Sequence, residues 1–378
     1  MRRRLVIGSL ATWLRARSGF AAPAENALVL RVQKTGYYGI TPGPSLRAKR
    51  GEEFAVRVVN ELDEPIAIHW HGVRLTNTMD GVPPLTQAAI APGASFDYRF
   101  VARDAGTFWY HPPAPNTPGL TLIVETTEPV DVDHDVTLIY AESSQERRLK
   151  MNGLDAYAIS ASTNQRVRLR LINATAAQIL KLRLEQLRTF IMAIDGQPAQ
   201  PFVAREGELT LGPGNRIDAF VDCTLAASNA ASLTIEGADG QRGIVAQIRC
   251  DPNARGRSSR RDDPEALPAN PLPERMDFHD SLRFDTAIGH TKNDAPLFAV
   301  KRGRTITLGL SNPGAENGFI HLHGHSFRLL DALDDGWKPF WLDTMPVAPG
   351  GKARIAFVAD DPGKWLIEGW VAPTPGSK

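Results

Sequence analysis

Two His-x-His pairs, His69-Trp70-His71 and His321-Leu322-His323, stand out among the nine histidines of this 378-residue chain. On an extended strand, alternate side chains share a face and lie about 6 to 7 Å apart, so each pair projects two imidazoles the same way. That arrangement suits two neighbouring metal ions, or one ion reached from both sides. Trp109-Tyr110-His111 supplies a further imidazole. A single histidine is more often a satisfied core residue than a ligand. Two pairs and a third block in matching register are hard to explain by packing alone.

The register comes from an internal repeat. Segments 51–60, 165–173 and 303–312 alternate in period two, as half-buried strands do, and each ends in an asparagine: Asn60, Asn173 and Asn312. A Pro-Gly turn follows each, at Pro92-Gly93, Pro213-Gly214 and Pro349-Gly350, and opens another alternating strand at 96–100, 216–221 and 353–358. The His-x-His pairs lie nine residues after Asn60 and Asn312, and the same offset in the middle copy gives Leu182-Arg183-Leu184. His111 lies nineteen residues past Pro92, and that offset from Pro349 lands on Glu368. The expected site therefore gathers His69, His71, His111, His321, His323 and Glu368 between the first and third copies, with the middle copy as a spacer.

Composition agrees with this plan. The chain has 43 Lys plus Arg against 42 Asp plus Glu, a net charge of +1, so no nucleic-acid partner is expected. With 32 Gly and 28 Pro, the threefold repeat and no long amphipathic helix, an all-β protein of three β-sandwiches is predicted. The boundaries are domain one at 25–128, domain two at 129–251, a solvated linker at 252–274 rich in Pro, Arg and Asp, and domain three at 275–378, truncated at its end. Cys223 and Cys250 each end a predicted strand of domain two and are expected to pair in an oxidising compartment. Residues 1–24 read as an export leader: Arg2-Arg3-Arg4, a short apolar run and Ala22-Pro23-Ala24, resembling a twin-arginine signal. Periplasmic or other export follows, with no transmembrane segment in the mature chain.

These residues resemble the multicopper oxidases, the laccase-like family of three cupredoxin domains. His69-Trp70-His71-Gly72, Asp80-Gly81-Val82-Pro83, Trp109-Tyr110-His111, His321-Leu322-His323-Gly324-His325, Trp341-Leu342-Asp343-Thr344 and Pro362-Gly363-Lys364-Trp365 stand in the family's order. The resemblance implies that the three sandwiches are cupredoxin-like Greek-key domains, and it implies copper. It makes His69 and His321 type 2 ligands, places His71 and His111 on one type 3 ion and His323 on the other, and makes Asp80 a carboxylate beside the cluster that relays protons. His325 is no ligand in the family.

The departures are equally specific. His111 is followed by Pro112-Pro113 where the family has a second histidine, and Gly318 stands at a blue-copper histidine. The family's closing His-Cys-His meets Glu368-Gly369-Trp370, so the thiolate that blue copper needs is absent. The family's last strand is also missing, which leaves domain three with an open edge or a partner that covers it. Two functions follow. One is an exported copper-binding protein holding one or two ions at a partial, type 2-like site, with a small reductant or copper ions as partners and weak or no oxidase activity. The other is a metal-free cupredoxin scaffold, like the family's cell-division protein.

Overall fold

The computed structural model describes residues 3–9, 28–33, 36–37, 45–112, 120–142, 148–225, 229–237, 239–251, 256–289, 295–330 and 340–372. The expected leader cleavage point, the loop after Pro112 and the Pro-rich tail after Ala372 lie outside them. Among the described residues the regular structure is strand, apart from two short 3-10 turns at Asn77–Met79 and Arg205–Gly207. No helix there is long and apolar enough to cross a membrane.

The strands form six sheets, two per repeat. Glu53–Asn60, Arg166–Asn173 and Thr305–Ser311 each pair in parallel with the repeat's first strand and antiparallel with the strand after the Pro-Gly turn. The terminal asparagines explain the repeat physically. Each is buried and uses its whole amide: the Nδ2 group donates to Ile90, Leu211 or Val347 carbonyls on a neighbouring segment and to Glu64, Gln178 or Glu316 carbonyls just downstream. Its Oδ1 accepts from the backbone N–H two residues on. An apolar residue there would orphan several buried backbone groups, which is why the same residue type recurs in all three copies.

The cores are unequal. Buried apolar side chains of domains one and three form one continuous cluster, in which Trp70, Phe108 and Ile68 share a core with Trp365, Phe357 and Ile320. Domain two has its own core. Cys223 and Cys250 are joined across the latter, as expected, with Cα atoms 5.5 Å apart. The linker, by contrast, is not simply solvated. Leu267 is buried against Phe190, Met192 and Phe220, and Asn270 bonds both backbone groups of Ala105 and the side chain of Gln197, pinning the segment to domains one and two.

The N-terminus is used in an unexpected way. Arg3–Ser9 is a strand of domain three, parallel to Phe298–Val300 and antiparallel to Lys364–Val371. Leu120–Glu125 holds the same place in domain one, and Arg242–Asp251 holds it in domain two. The open edge expected in domain three is thus covered by residues expected to form a leader. Removing residues 1–24 is expected to bare both neighbouring strands, so hydrogen exchange at the amides of Lys364–Val371 should speed up. Unchanged exchange there would show that the strand contributes nothing.

Candidate metal centre

His69 and His71 lie on the short strand His69–His71, which pairs with Gly106–His111 so that His69 stands opposite His111. In domain three, His321 lies on the strand Gly318–Leu322 and stands opposite Glu368. The matching position in domain two pairs Leu182 with Ile235. The offsets in the sequence therefore mark true cross-strand equivalents: His111 with Glu368, and an apolar pair between them. His69, His71, His111, His321 and His323 are all buried.

Their rings converge at the boundary of domains one and three. The His69 ring centroid lies 4.0 Å from that of His323 and 5.2 Å from that of His321, while the His71 and His321 rings stack at 3.8 Å. Two sets of ligand atoms come within 4.8 Å of one another: His69, His71 and His321, and His69, Asp80 and His323. His111, 5.6 Å from His69 between ring centroids, and Glu368, 3.8 Å from Nε2 of His323, flank these sets without joining them.

The hydrogen bonds show which ring nitrogens are available. His69 donates from Nδ1 to the Asp80 carbonyl at 3.0 Å, and His321 donates from Nδ1 to the Asp343 carbonyl at 3.0 Å. A carbonyl only accepts, so both protons sit on Nδ1 and both Nε2 atoms present lone pairs. Those atoms face each other 3.1 Å apart. Two lone pairs at that distance repel unless a cation lies between or beside them. His323, held through Nδ1 by Asp80 at 3.0 Å, likewise leaves a buried Nε2 without a hydrogen-bond partner.

Burial sets the electrostatics. Desolvation, reinforced by neighbouring imidazoles, holds His71 well below the ordinary histidine range and lowers His321 to about 4. His323 is the exception: burial alone would lower it, but the Asp80 and Glu368 carboxylates outweigh burial and raise it to about 9. Burial would raise Asp80, yet His323 and His69 hold it below the usual carboxylate range. One acidic and several neutral donors in a buried pocket make a set suited to a divalent transition ion.

Domain two is more than a spacer. Its Arg216 is fully buried and engages all five of its N–H donors: Nε on the Thr107 carbonyl, Nη1 on the Gly214 carbonyl and Asp343, and Nη2 on the Asp195 carbonyl and Asp343. It thereby joins domain one to domain three beneath the histidines, and holds Asp343 well below the carboxylate range against its burial. Asp343 in turn lies 3.4 Å from His71 Nε2, and Thr344 bonds both His71 and His321. Asp195, buried beside Asp343, is raised to about 7. Gly72 is required here: it has φ +80°, and a Cβ would stand 2.1 Å from Arg216 Nη2. Sequence reading placed Asp343-Thr344 in a motif but missed their role, and missed Arg216 and Asp195 altogether. The one signal was the position of Arg216 at the start of the strand that the Pro213-Gly214 turn opens.

Multicopper oxidase family profiles match residues 24–124, 107–230 and 266–369. The multicopper oxidase MmcO of Mycobacterium tuberculosis is 28% identical over 91% of this chain and 82% of its own length. Among solved structures, Lac15 from a marine microbial metagenome is 30% identical with a TM-score of 0.80, covering 93% of this chain and 99% of that one. The multicopper oxidase from Pseudomonas thermotolerans is 29% identical with a TM-score of 0.79, covering 90% and 94%. Three β-sandwiches, histidines converging between the first and third, and matches across all three place this chain in the multicopper oxidase family, with three cupredoxin domains.

Proposed function

We propose that the protein is an exported copper-binding member of this family, holding copper at the boundary of domains one and three. His69, His71, His321 and His323 would hold it, with His111 and Glu368 beside them and Asp80 orienting His323. The observation that carries the reading is the pair of opposed Nε2 lone pairs of His69 and His321, 3.1 Å apart. A bound cation relieves that repulsion, and a set of imidazoles suits copper. Bound copper supplies the capacity to take electrons from a reductant and deliver them to dioxygen. The chain's own contribution is to keep His71 and His321 deprotonated by burial and, through Arg216 and Asp343, to fix the ring orientations, while His323, raised beside Asp80 and Glu368, gives up a proton as metal binds.

Oxidase activity is expected to be weak or absent. Glu368, Gly369 and Trp370 stand on Lys364–Val371 with Gly369 opposite Ile320, and a glycine offers no ligand. Copper-loaded protein should therefore lack the intense blue colour of a copper–thiolate bond and give a type 2 paramagnetic resonance spectrum, with one or two coppers per chain. A deep blue sample would overturn this assignment. Less than one copper per chain would favour the metal-free scaffold.

Export is supported by the arginines ahead of the apolar run at the N-terminus, which resemble a signal for transport of folded proteins. Cleavage near Ala24 would free the strand place that Arg3–Ser9 occupies. N-terminal sequencing of the protein from the periplasmic fraction tests this: an intact Met1 there would show that the segment is retained.

A further inference from the structure

Beyond the histidine cluster lies a second group of donors that the copper reading does not use. At Gly324, with φ +66°, the chain turns so tightly against Trp365 that a Cβ would stand 2.2 Å from its ring. The turn sends His325 away from His323. The imidazole of His325 is buried, edge-on to Phe357 and Trp365 with ring centroids 5.6 and 5.4 Å away. It meets Asp360 and Asp361, in the connection between the strands Lys352–Val358 and Lys364–Val371.

We propose that His325, Asp360 and Asp361 form a separate metal site for a divalent ion of the zinc class. Four observations on these residues point the same way. First, His325 donates from Nδ1 to the His323 carbonyl at 3.1 Å, so its Nε2 carries a lone pair. Second, that Nε2 has no hydrogen-bond partner although the residue is only 4% exposed, and the free Oδ2 of Asp361, 9% exposed, has none either. Third, each carboxylate spends one oxygen on an arginine of domain one and leaves the other for the site. Asp361 Oδ1 accepts from Arg103 at 2.6 Å, and Asp360 Oδ2 lies 3.4 Å from Arg74, whose guanidinium is committed mainly to Asp104. Fourth, Nε2 lies 3.8 Å from Asp360 Oδ1, and donors from all three residues fall within 4.8 Å of one another.

A lone pair facing two carboxylates is unfavourable unless something positive joins them. The Nε2 to Oδ1 distance is too long for a hydrogen bond, so a shared proton does not satisfy the group as it stands. It is close to what a metal imposes: two ligands each about 2.1 Å from a tetrahedral ion stand roughly 3.4 Å apart. One imidazole and two carboxylates, with no sulfur, match the ligand types of zinc, with water completing the shell. Arg103 and Arg74 offset part of the carboxylate charge and keep the two side chains in place. The ion would clamp the turn after the second His-x-His pair to the connection before Lys364–Val371.

The test is equilibrium dialysis of the metal-stripped full chain against Zn(II), comparing the unmodified protein with Asp361→Asn, Asp360→Asn and His325→Gln. The first keeps the Arg103 hydrogen bond, and the second alters a half-buried side chain, so folding survives in at least one; circular dichroism checks it. Each variant is expected to bind one zinc fewer than the unmodified protein, however many zinc ions the histidine cluster takes, and, given a single equivalent of Cu(II), to keep the type 2 paramagnetic resonance signal of the histidine cluster. Equal zinc stoichiometry in the unmodified protein and the folded variants would overturn the site. So would loss or alteration of that type 2 signal, which would make these residues part of the first centre.

Discussion

Replacing Arg216 by Met is expected to destabilise the metal-free protein by about 3–5 kcal/mol, the usual cost of removing one partner from a buried ion pair. The guanidinium is wholly buried, so no water is available to take over its five hydrogen bonds. Its loss leaves Asp343 as an uncompensated carboxylate at 1% exposure, with Asp195 beside it already raised to about 7. Asp343 must then take a proton or admit water. Adding Asp343→Asn removes the stranded charge, so the double variant should recover part of the loss, giving a coupling energy between the two positions. Chemical denaturation of the metal-free forms measures both. If Arg216→Met cost less than about 1 kcal/mol, or the two effects simply added, the arginine would not be what ties the three domains together.

The repeat was legible because it is written in residue types with one physical job. Asparagines that close strands, Pro-Gly turns and His-x-His pairs recur at fixed offsets, and cross-strand pairing of His69 with His111 and of His321 with Glu368 follows those offsets. What stayed hidden depends on contacts between copies. Arg166, Arg168 and Arg170 alternate with apolar residues, a pattern that reads as a strand with one solvated face. The strand is in fact buried along its whole length, because Asp135, Asp222 and the interior Asp218 pair with those arginines, and Thr107 of domain one donates to Asp218. Period-two patterning reports which face differs from the other, not whether the polar face is wet. The same limit hid Arg216, and with it the role of domain two. The strand at Arg3–Ser9 was hidden differently: a basic start and a short apolar run fit both a leader and a strand, and no residue type there marks the pairing with domain three.

Replacing His321 by Ala is expected to abolish most copper binding and most of the copper-induced rise in melting temperature, while leaving a folded metal-free protein. His321 comes from domain three and His69 from domain one, so a cation held by both stabilises only the assembled state. Such binding contributes about 2.7 kcal/mol when free ligand is a hundred times the dissociation constant. The continuous core of domains one and three keeps the variant folded without metal. Removing one imidazole also ends the repulsion between opposed lone pairs, offsetting part of the cavity cost. Unmodified protein should therefore gain far more from copper than the variant, even where their metal-free melting temperatures are similar. His325→Gln, which alters a ring facing away from the cluster, should keep both copper and the thermal shift. Copper stoichiometry and thermal melts with and without Cu(II) decide the matter: if His321→Ala bound copper as the unmodified protein does, the boundary between domains one and three would not be the copper site.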